Sequence, residues 1–420
     1  MREMKDSGIA WIGAMPRAWK MNTIAQIFLQ VKCKNTGLQE KNLLSLSYGK
    51  VKRKSIDTVE GLLPESFDGY NIIEKDDIVL RLTDLQNDHT SLRVGLAEER
   101  GIITSAYLTI RNRSNFCPKY LYYYLHSFDI AKGFYGMGAG VRQGLNWDGV
   151  KWLKILAPSV PEQERIAAFL DAECAEIDAV LEKTRASIEE YKKLKQAVIT
   201  QAVTKGIRGD RPMKDSGIEW IGDIPAEWDV IRVKQLLKER NERSKEGKEE
   251  PLSMSQKVGL VPTKFLESIP NMASSFVGAK LAYVDDLVFN KLKAHLGVFS
   301  VSRYDGLVSP DYAVYCSTGK SNLKYLEYIF KTPQCIGEFR KKSTGIAAGL
   351  MRLYTEGLFS IYLPYPALSE QEEIAEYLNE KCTGIDALIV KKQQYLTEIE
   401  NYKKSLIYEY VTGKKGAHPL

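Results

Sequence analysis

The sequence predicts an α+β protein: two mixed α/β modules separated by two long paired helices, built as an internal repeat with a pseudo-twofold axis. Three observations predict it. Lys5-Asp6-Ser7-Gly8-Ile9-Ala10-Trp11-Ile12-Gly13, closing on Pro16 and Trp19, returns as Lys214-Asp215-Ser216-Gly217-Ile218-Glu219-Trp220-Ile221-Gly222, closing on Pro225 and Trp228, at an offset of 209 in a 420-residue chain. A second block, Glu162 to Leu170, matches Glu370 to Leu378 at an offset of 208 and runs on through Ile177-Asp178-Ala179 and Ile385-Asp386-Ala387 to Val203-Thr204 and Val411-Thr412. Between these blocks the copies diverge but keep the same succession of short β-rich runs and one short helix.

Within the modules, Asp76-Asp77-Ile78-Val79 parallels Asp285-Asp286-Leu287-Val288, Gly101 to Tyr107 parallels Gly306 to Tyr312, and Lys119-Tyr120-Leu121 parallels Lys324-Tyr325-Leu326. The offset slips to 205 and returns to 208 near Leu145 and Leu353, which puts insertions in loops. Strands are expected over Ile78 to Leu82, Ile102 to Ile110, Leu287 to Asn290 and Tyr312 to Cys316, and a helix near Tyr120 to Phe128 or Tyr325 to Lys331.

The second block reads as two long helices, 161–206 and 369–414. Pro161 suits a first turn, and Ser369 with Glu372 three residues on resembles an N-cap with a capping box. Ile177, Leu181, Thr184, Ile188, Tyr191, Val198 and Ala202 alternate by three and four, broken at Lys195. Ile385, Ile389, Leu396, Ile399, Leu406 and Tyr410 repeat the stripe, broken at Lys392 and Lys403. Each helix is therefore the expected partner of the other, and Gly206 and Gly413 supply stops. The Trp-Ile-Gly segment follows the first helix closely. Its first copy should occupy the equivalent place beside the second helix, which brings the chain ends together. Trp11, Trp19, Trp220 and Trp228 then read as structural braces.

An apolar content of 44% and a charged content of 27% are ordinary for a globular protein, with room for two or three domains. No apolar run reaches the length of a membrane span, and the N-terminus has no secretory core. The cysteines Cys33, Cys117, Cys174, Cys316, Cys335 and Cys382 form no C-x-x-C pair. That argues against structural zinc and a disulfide framework, and for a cytoplasmic protein. A net charge of +6 permits nucleic-acid binding without demanding it.

No phosphate loop, dinucleotide fingerprint, H-E-x-x-H helix or adenine-methyltransferase Asn-Pro-Pro-Tyr motif is present. Gly136 to Gly140 reads as a loop, and Asp305 and Asp311 as ordinary loop acids. The chain reads as a binding protein with no catalytic, cofactor or metal residues of its own. Candidate nucleic-acid contacts in the first module are Lys50, Lys52, Arg53, Lys54, Arg81, Arg93, Arg142 and Gln143. In the second they are Lys257, Lys264, Asn290, Lys291, Lys293, Arg303, Arg340, Lys341, Lys342 and Arg352. Lysines attract phosphate, while Arg, Asn and Gln can also make bidentate contacts to base edges. Taken singly, each is equally an ordinary solvated charge. Tyr48, Tyr135, Tyr312 and Tyr354 could meet bases or belong to the core.

The doubled Trp-Ile-Gly openings, the Leu145-Asn146-Trp147-Asp148…Pro158 and Leu353-Tyr354-Thr355-Glu356…Pro366 segments, and the Glu-Gln-Glu helices ending in Val-Thr resemble the specificity subunit of type I restriction–modification systems. The resemblance covers the whole chain. It implies target-recognition domains at about 20–158 and 229–366, within segments 1–160 and 207–368. It implies that helices 161–206 and 369–414, the latter within segment 369–420, pair as an antiparallel coiled coil that spaces the modules and docks two methyltransferase subunits, with restriction/translocase subunits joining them. Each module would read one half of a split, asymmetric double-stranded DNA site. S-adenosylmethionine, ATP and Mg2+ would belong to the partner subunits, and no membrane is involved. The stripe from Ile177 to Val203 is 27 residues long; at about 1.5 Å per residue it would hold the modules roughly 40 Å apart, near one turn of duplex DNA. Two other readings stay open: a noncatalytic coiled-coil scaffold whose modules bind protein, and an enzyme whose site carries no recognisable motif.

Overall fold

The computed structural model describes residues 2–55, 66–137, 144–256, 258–266, 276–345 and 351–417. Two compact units emerge: Met1–Arg185 with Gln394–Leu420, and Ala186–Gln393. The two long helices, Val160–Lys205 and Leu368–Val411, each contribute to both.

The units have the same topology. The first holds an antiparallel sheet ordered Phe28–Gln30, Leu108–Asn112, Ile78–Leu80, Val94–Leu96. The second orders Leu237–Arg240, Tyr312–Ser317, Leu287–Asn290, Phe299–Val301. Ile78, Val79 and Leu80 are all fully buried, as an unbroken apolar run in a central strand should be. The paired aspartates turn the chain into this strand identically in both copies. Asp76 and Asp285 take positive φ of 71° and 65°, while buried Asp77 and Asp286 accept the backbone N–H of Glu74 and Tyr283.

Three elements depart from the sequence reading. The run Ile102 to Ile110 is broken by a turn, in which Tyr107 N–H meets Thr104 O, into Gly101–Ile103 and Leu108–Asn112. Ser369 lies inside the second long helix, which starts one residue earlier, so it is not the N-cap. The second unit has a further helix, Pro333–Lys342, after Leu323–Phe330. Its start was written in Thr332-Pro333: the Thr332 hydroxyl caps Cys335 N–H, and proline occupies the first turn.

The shared Glu-Gln-Glu motif holds module to helix. Gln163 is fully buried; its Oε1 accepts the Cys117 N–H (2.9 Å) and its amide donates to Pro158 O (3.0 Å). Gln371 repeats both bonds with Asn322 N–H (3.0 Å) and Pro366 O (3.0 Å). Glu162 accepts the Trp19 indole N–H at 3.1 Å, and Glu370 that of Trp228 at 2.8 Å. Arg2 and Arg211, which are also repeat equivalents, pair with these carboxylates at 2.6 and 2.7 Å. A buried tyrosine then reaches the far end of the other long helix: Tyr120 to Val411 O, and Tyr325 to Val203 O. Gly413 and Gly206, at φ of 74° and 76°, end the helices against Trp19 and Trp228. In the first unit the N-terminal brace lies along the end of the second long helix, with Lys414 Nζ bonded to Ile12 O and Tyr408 to Trp11 O.

The helices run antiparallel in each unit. In the first, Ile177, Leu181 and Leu406 are buried between them, and Lys403 pairs with Asp178 (2.6 Å) and Arg185 with Glu400 (2.7 Å). In the second, Lys195 pairs with Asp386 (2.6 Å) and Lys392 sits over the Tyr191 ring. The three lysines that interrupt the apolar stripe thus each meet a partner on the facing helix. Cys174 and Cys382 are small buried helix residues, and all six cysteines are free.

Replacing Gln163 with Leu should lower the stability of the first unit by about 2–4 kcal/mol, because it strands a half-buried N–H and a buried carbonyl. Denaturant titration followed by Trp fluorescence measures this; a loss below about 1 kcal/mol would show that the amide is dispensable.

Candidate nucleic-acid interface

In the first unit a β-hairpin, Leu44–Ser47 with Lys50–Arg53, stands on the module. Leu44, Leu46 and Val51 face the core. Ser45 lies opposite Lys52 and Ser47 opposite Lys50, so one face of the hairpin is hydroxyl and ammonium. Lys50 lies 3.9 Å from Asp178. Lys52 is exposed and has no ion-pair partner among the described residues. Arg53 is held by a two-pronged pair with Glu99, so its fork is already engaged. Lys54 is half-buried, with its backbone N–H on Leu43 O. The matching hairpin of the second unit is Leu252–Ser255 with Gly259–Pro262. The echo of Leu44-Ser45-Leu46-Ser47 in Leu252-Ser253-Met254-Ser255, at an offset of 208, would have revealed both hairpins.

Arg93 corrects the sequence reading. It is fully buried and contributes no surface charge. Its guanidinium donates to the carbonyls of Arg81, Thr83, Asp84 and Asp88 and to the Tyr135 hydroxyl. The loop from Thr83 to Leu92 is therefore wrapped around one cation. Tyr135 is a brace of the same loop, stacked on His89 at 5.0 Å and bonded to Asp88 O. The Asp88 carboxylate accepts Ser91 and Thr90 N–H, led by the Ser91 contacts, and its pKa falls well below the usual carboxylate range. Gln86, Asn87, His89 and Thr90 remain exposed on the loop. Arg81 is half-exposed, 3.6 Å from Asp88. Arg142 and Gln143 lie outside the described residues, as does Lys257.

In the second unit, Asn290 ends its strand with Oδ1 accepting the Leu292 N–H. Lys291 is half-buried and donates to Pro310 O at 3.3 Å; burial, then nearby Lys280, lowers its pKa. Lys293 is exposed. Arg340, Lys341 and Lys342 form the exposed last turn of Pro333–Lys342, where cations suit the helix dipole. Lys341 is paired with Glu338 at 2.7 Å. Arg340 lines a cleft of about 340 Å³ with the hairpin residue Gln256, His295, Leu296, Lys331 and Ile336. The cleft thus joins Arg340 to the hairpin turn, and Gln256 itself donates to Leu296 O. Arg352 pairs with Asp311 at 3.4 Å. Tyr312 is half-buried and bonded to Met254 N–H, whereas Tyr354 is 49% exposed. Among the described residues no group of His, Cys, Asp and Glu is placed to hold a metal ion, and no helix is long and apolar enough to cross a membrane.

Burial pushes the pKa of Asp129, whose Oδ2 accepts the Arg93 N–H, up to about 6, against the pull of Arg93 and Lys132. A carboxyl raised on folding favours the native state while protonated and loses that contribution as pH rises through about 6. Between pH ~4 and ~7 the wild type should lose of the order of 2–3 kcal/mol relative to Asp129→Asn. Parallel urea titrations across that range test this; parallel curves would contradict it.

No family model matches the chain. It is 24% identical over 280 residues to the type I restriction enzyme MjaVIII specificity subunit of Methanocaldococcus jannaschii, an alignment covering 62% of each protein. The chain thus spans 62% of the length of that curated relative. A chain solved in work on complex assembly and conformational transition of the type I R-M system superposes with a TM-score of 0.70 at 14% identity, over 96% of this chain and 99% of that one. The HsdS subunit from Thermoanaerobacter tengcongensis superposes with a TM-score of 0.52 at 14% identity, over 96% and 98%. The chain is thus similar in fold along its length to these two solved chains, and similar in sequence across 62% of it to the specificity subunit of a type I restriction enzyme.

Proposed function

We propose that the chain is the noncatalytic DNA-recognition subunit of a type I restriction–modification complex. Each module reads one half of a bipartite, asymmetric duplex site, and the long helices fix the unread gap and dock two methyltransferase subunits, which restriction/translocase subunits join. The observation that carries this reading is one topology built twice with different outer surfaces. Strand order and the Gln, Glu–Trp and Arg–Glu contacts repeat, while the hairpin turns, the Arg93-pinned loop and the helix ending at Lys342 do not. A reader of two unlike half-sites needs such a division. The target-recognition segments are 1–160 and 207–368, and the spacer segments, which hold the two long helices, are 161–206 and 369–420. The proposed contact residues are Lys52, Arg53, Lys54, Arg81, Arg142 and Gln143 in the first segment, and Asn290, Lys291, Lys293, Arg340, Lys341 and Lys342 in the second. S-adenosylmethionine, ATP and Mg2+ belong to the partner subunits.

The helices support the docking role. Val180 and Leu194 on the first are 39% and 48% exposed; Leu388, Tyr395 and Tyr402 on the second are 43%, 48% and 54% exposed. These positions recur at multiples of seven, and Val180 and Leu194 are the repeat equivalents of Leu388 and Tyr402. Large apolar side chains left out at one heptad position of both copies suit a partner that binds twice.

Mapping methylated adenines genome-wide with and without this chain should yield a split motif that disappears with it. Exchanging residues 22–158 for those of a related chain should then change one half of that motif only. A change in both halves, or in neither, would defeat the assignment of one module to each half. If the purified chain with its methyltransferase partner prefers no duplex at any salt, the scaffold reading gains instead.

A further inference from the structure

We infer that Tyr48 contacts the DNA, packing its ring against a base or deoxyribose of the half-site read by the first module. The inference rests on the proposed function. Ser47 and Lys50 are the last pair of their hairpin, so Tyr48-Gly49 is a two-residue turn. Both residues take positive φ, 49° and 74°. Such a turn favours Asn-Gly, Asp-Gly or Gly-Gly, because a side chain at positive φ is strained. A tyrosine there works against folding, and no packing among the described residues offsets it: the side chain is 87% exposed, the most exposed large apolar side chain among them.

The turn is also held firmly. A Cβ on Gly49 would lie 3.1 Å from that of Leu92, the last residue of the Arg93-pinned loop. The ring therefore projects from a fixed point, with Lys50 and Lys52 following on the hydroxyl-lined face. An aromatic tip beside two cations fits nucleic acid, with the ring on a base or sugar and the ammonium groups on phosphate. The second hairpin carries Gln256 and Val258 near its turn and no aromatic residue, so the contact is peculiar to one half-site.

The test uses the full chain with its methyltransferase partners and a duplex carrying the mapped target. Tyr48→Asn removes the ring and relieves the strained backbone; Tyr48→Phe keeps the ring. Tyr48→Asn should weaken specific binding at least about fivefold, leave non-specific binding unchanged, and leave the thermal midpoint equal or raised. Tyr48→Phe should bind like the wild type. In duplexes with 2-aminopurine placed through the first half-site, one position should change fluorescence with wild type and not with Tyr48→Asn. Wild-type affinity in Tyr48→Asn overturns the contact while the recognition role stands, and so does weaker binding accompanied by a lowered midpoint. A wild type that selects no duplex overturns both.

Discussion

One buried glutamine in the first turns of each long helix carries the architecture. Gln163 and Gln371 each satisfy two backbone groups: an N–H at the start of a module helix and a proline carbonyl at the end of a module strand. The side-chain amide supplies one acceptor and one donor at the reach these groups require. Beside it a glutamate takes the indole N–H of the brace tryptophan and an arginine from the segment preceding it. Three pieces of chain distant in sequence are thereby fixed to one helical turn. A buried polar contact is costly to leave half-made, so such a joint specifies geometry more than it adds stability. Everything the modules present outward depends on how this joint seats them.

Upon that frame the copies differ where they meet solvent. In the first unit a loop of ten residues is gathered around Arg93, and a two-residue turn closes the hairpin. In the second, the segment after Asn290 carries one turn of 3-10 helix, Ala294–Leu296, and a helix with a basic last turn lies nearby. Each module thus combines a fixed sheet with outer elements whose length and chemistry can change without disturbing the core.

The frame was legible in the sequence because repetition marks it. The Trp-Ile-Gly openings, the Glu-Gln-Glu starts, the apolar stripe and the glycine stops all return at a near-constant offset, and all four are structural. The site was less legible, because an isolated cation does not say whether it faces water or protein. Arg93 looked like Arg81 and Arg53 in sequence; the fold buries the first, leaves the second half-exposed and engages the third with Glu99. What distinguishes Arg93 is a set of backbone carbonyls brought around it by a loop, and that is a tertiary fact. The helix Pro333–Lys342 was missed for a different reason. Its Thr-Pro start is a local signal, but the first unit has no separate helix at the corresponding place: the helix Pro118–Ile130 gives way to turns over 131–137, so repetition does not mark it.

The lysines in the helical seam have a consequence for how such a chain can change over time. Lys195 and Lys403 are repeat equivalents, as are Asp178 and Asp386, yet each lysine is neutralised by the aspartate of the other copy. Partly exposed pairs of this kind contribute under about 1 kcal/mol each, so thermodynamic need is a weak tether. The arrangement is nonetheless reciprocal: losing an aspartate in one copy leaves a lysine of the opposite copy without its partner in the seam. The two halves can drift apart in their outer loops as freely as two separate genes. Along the helices they remain a single inheritance, each holding the other to the ancestral pattern.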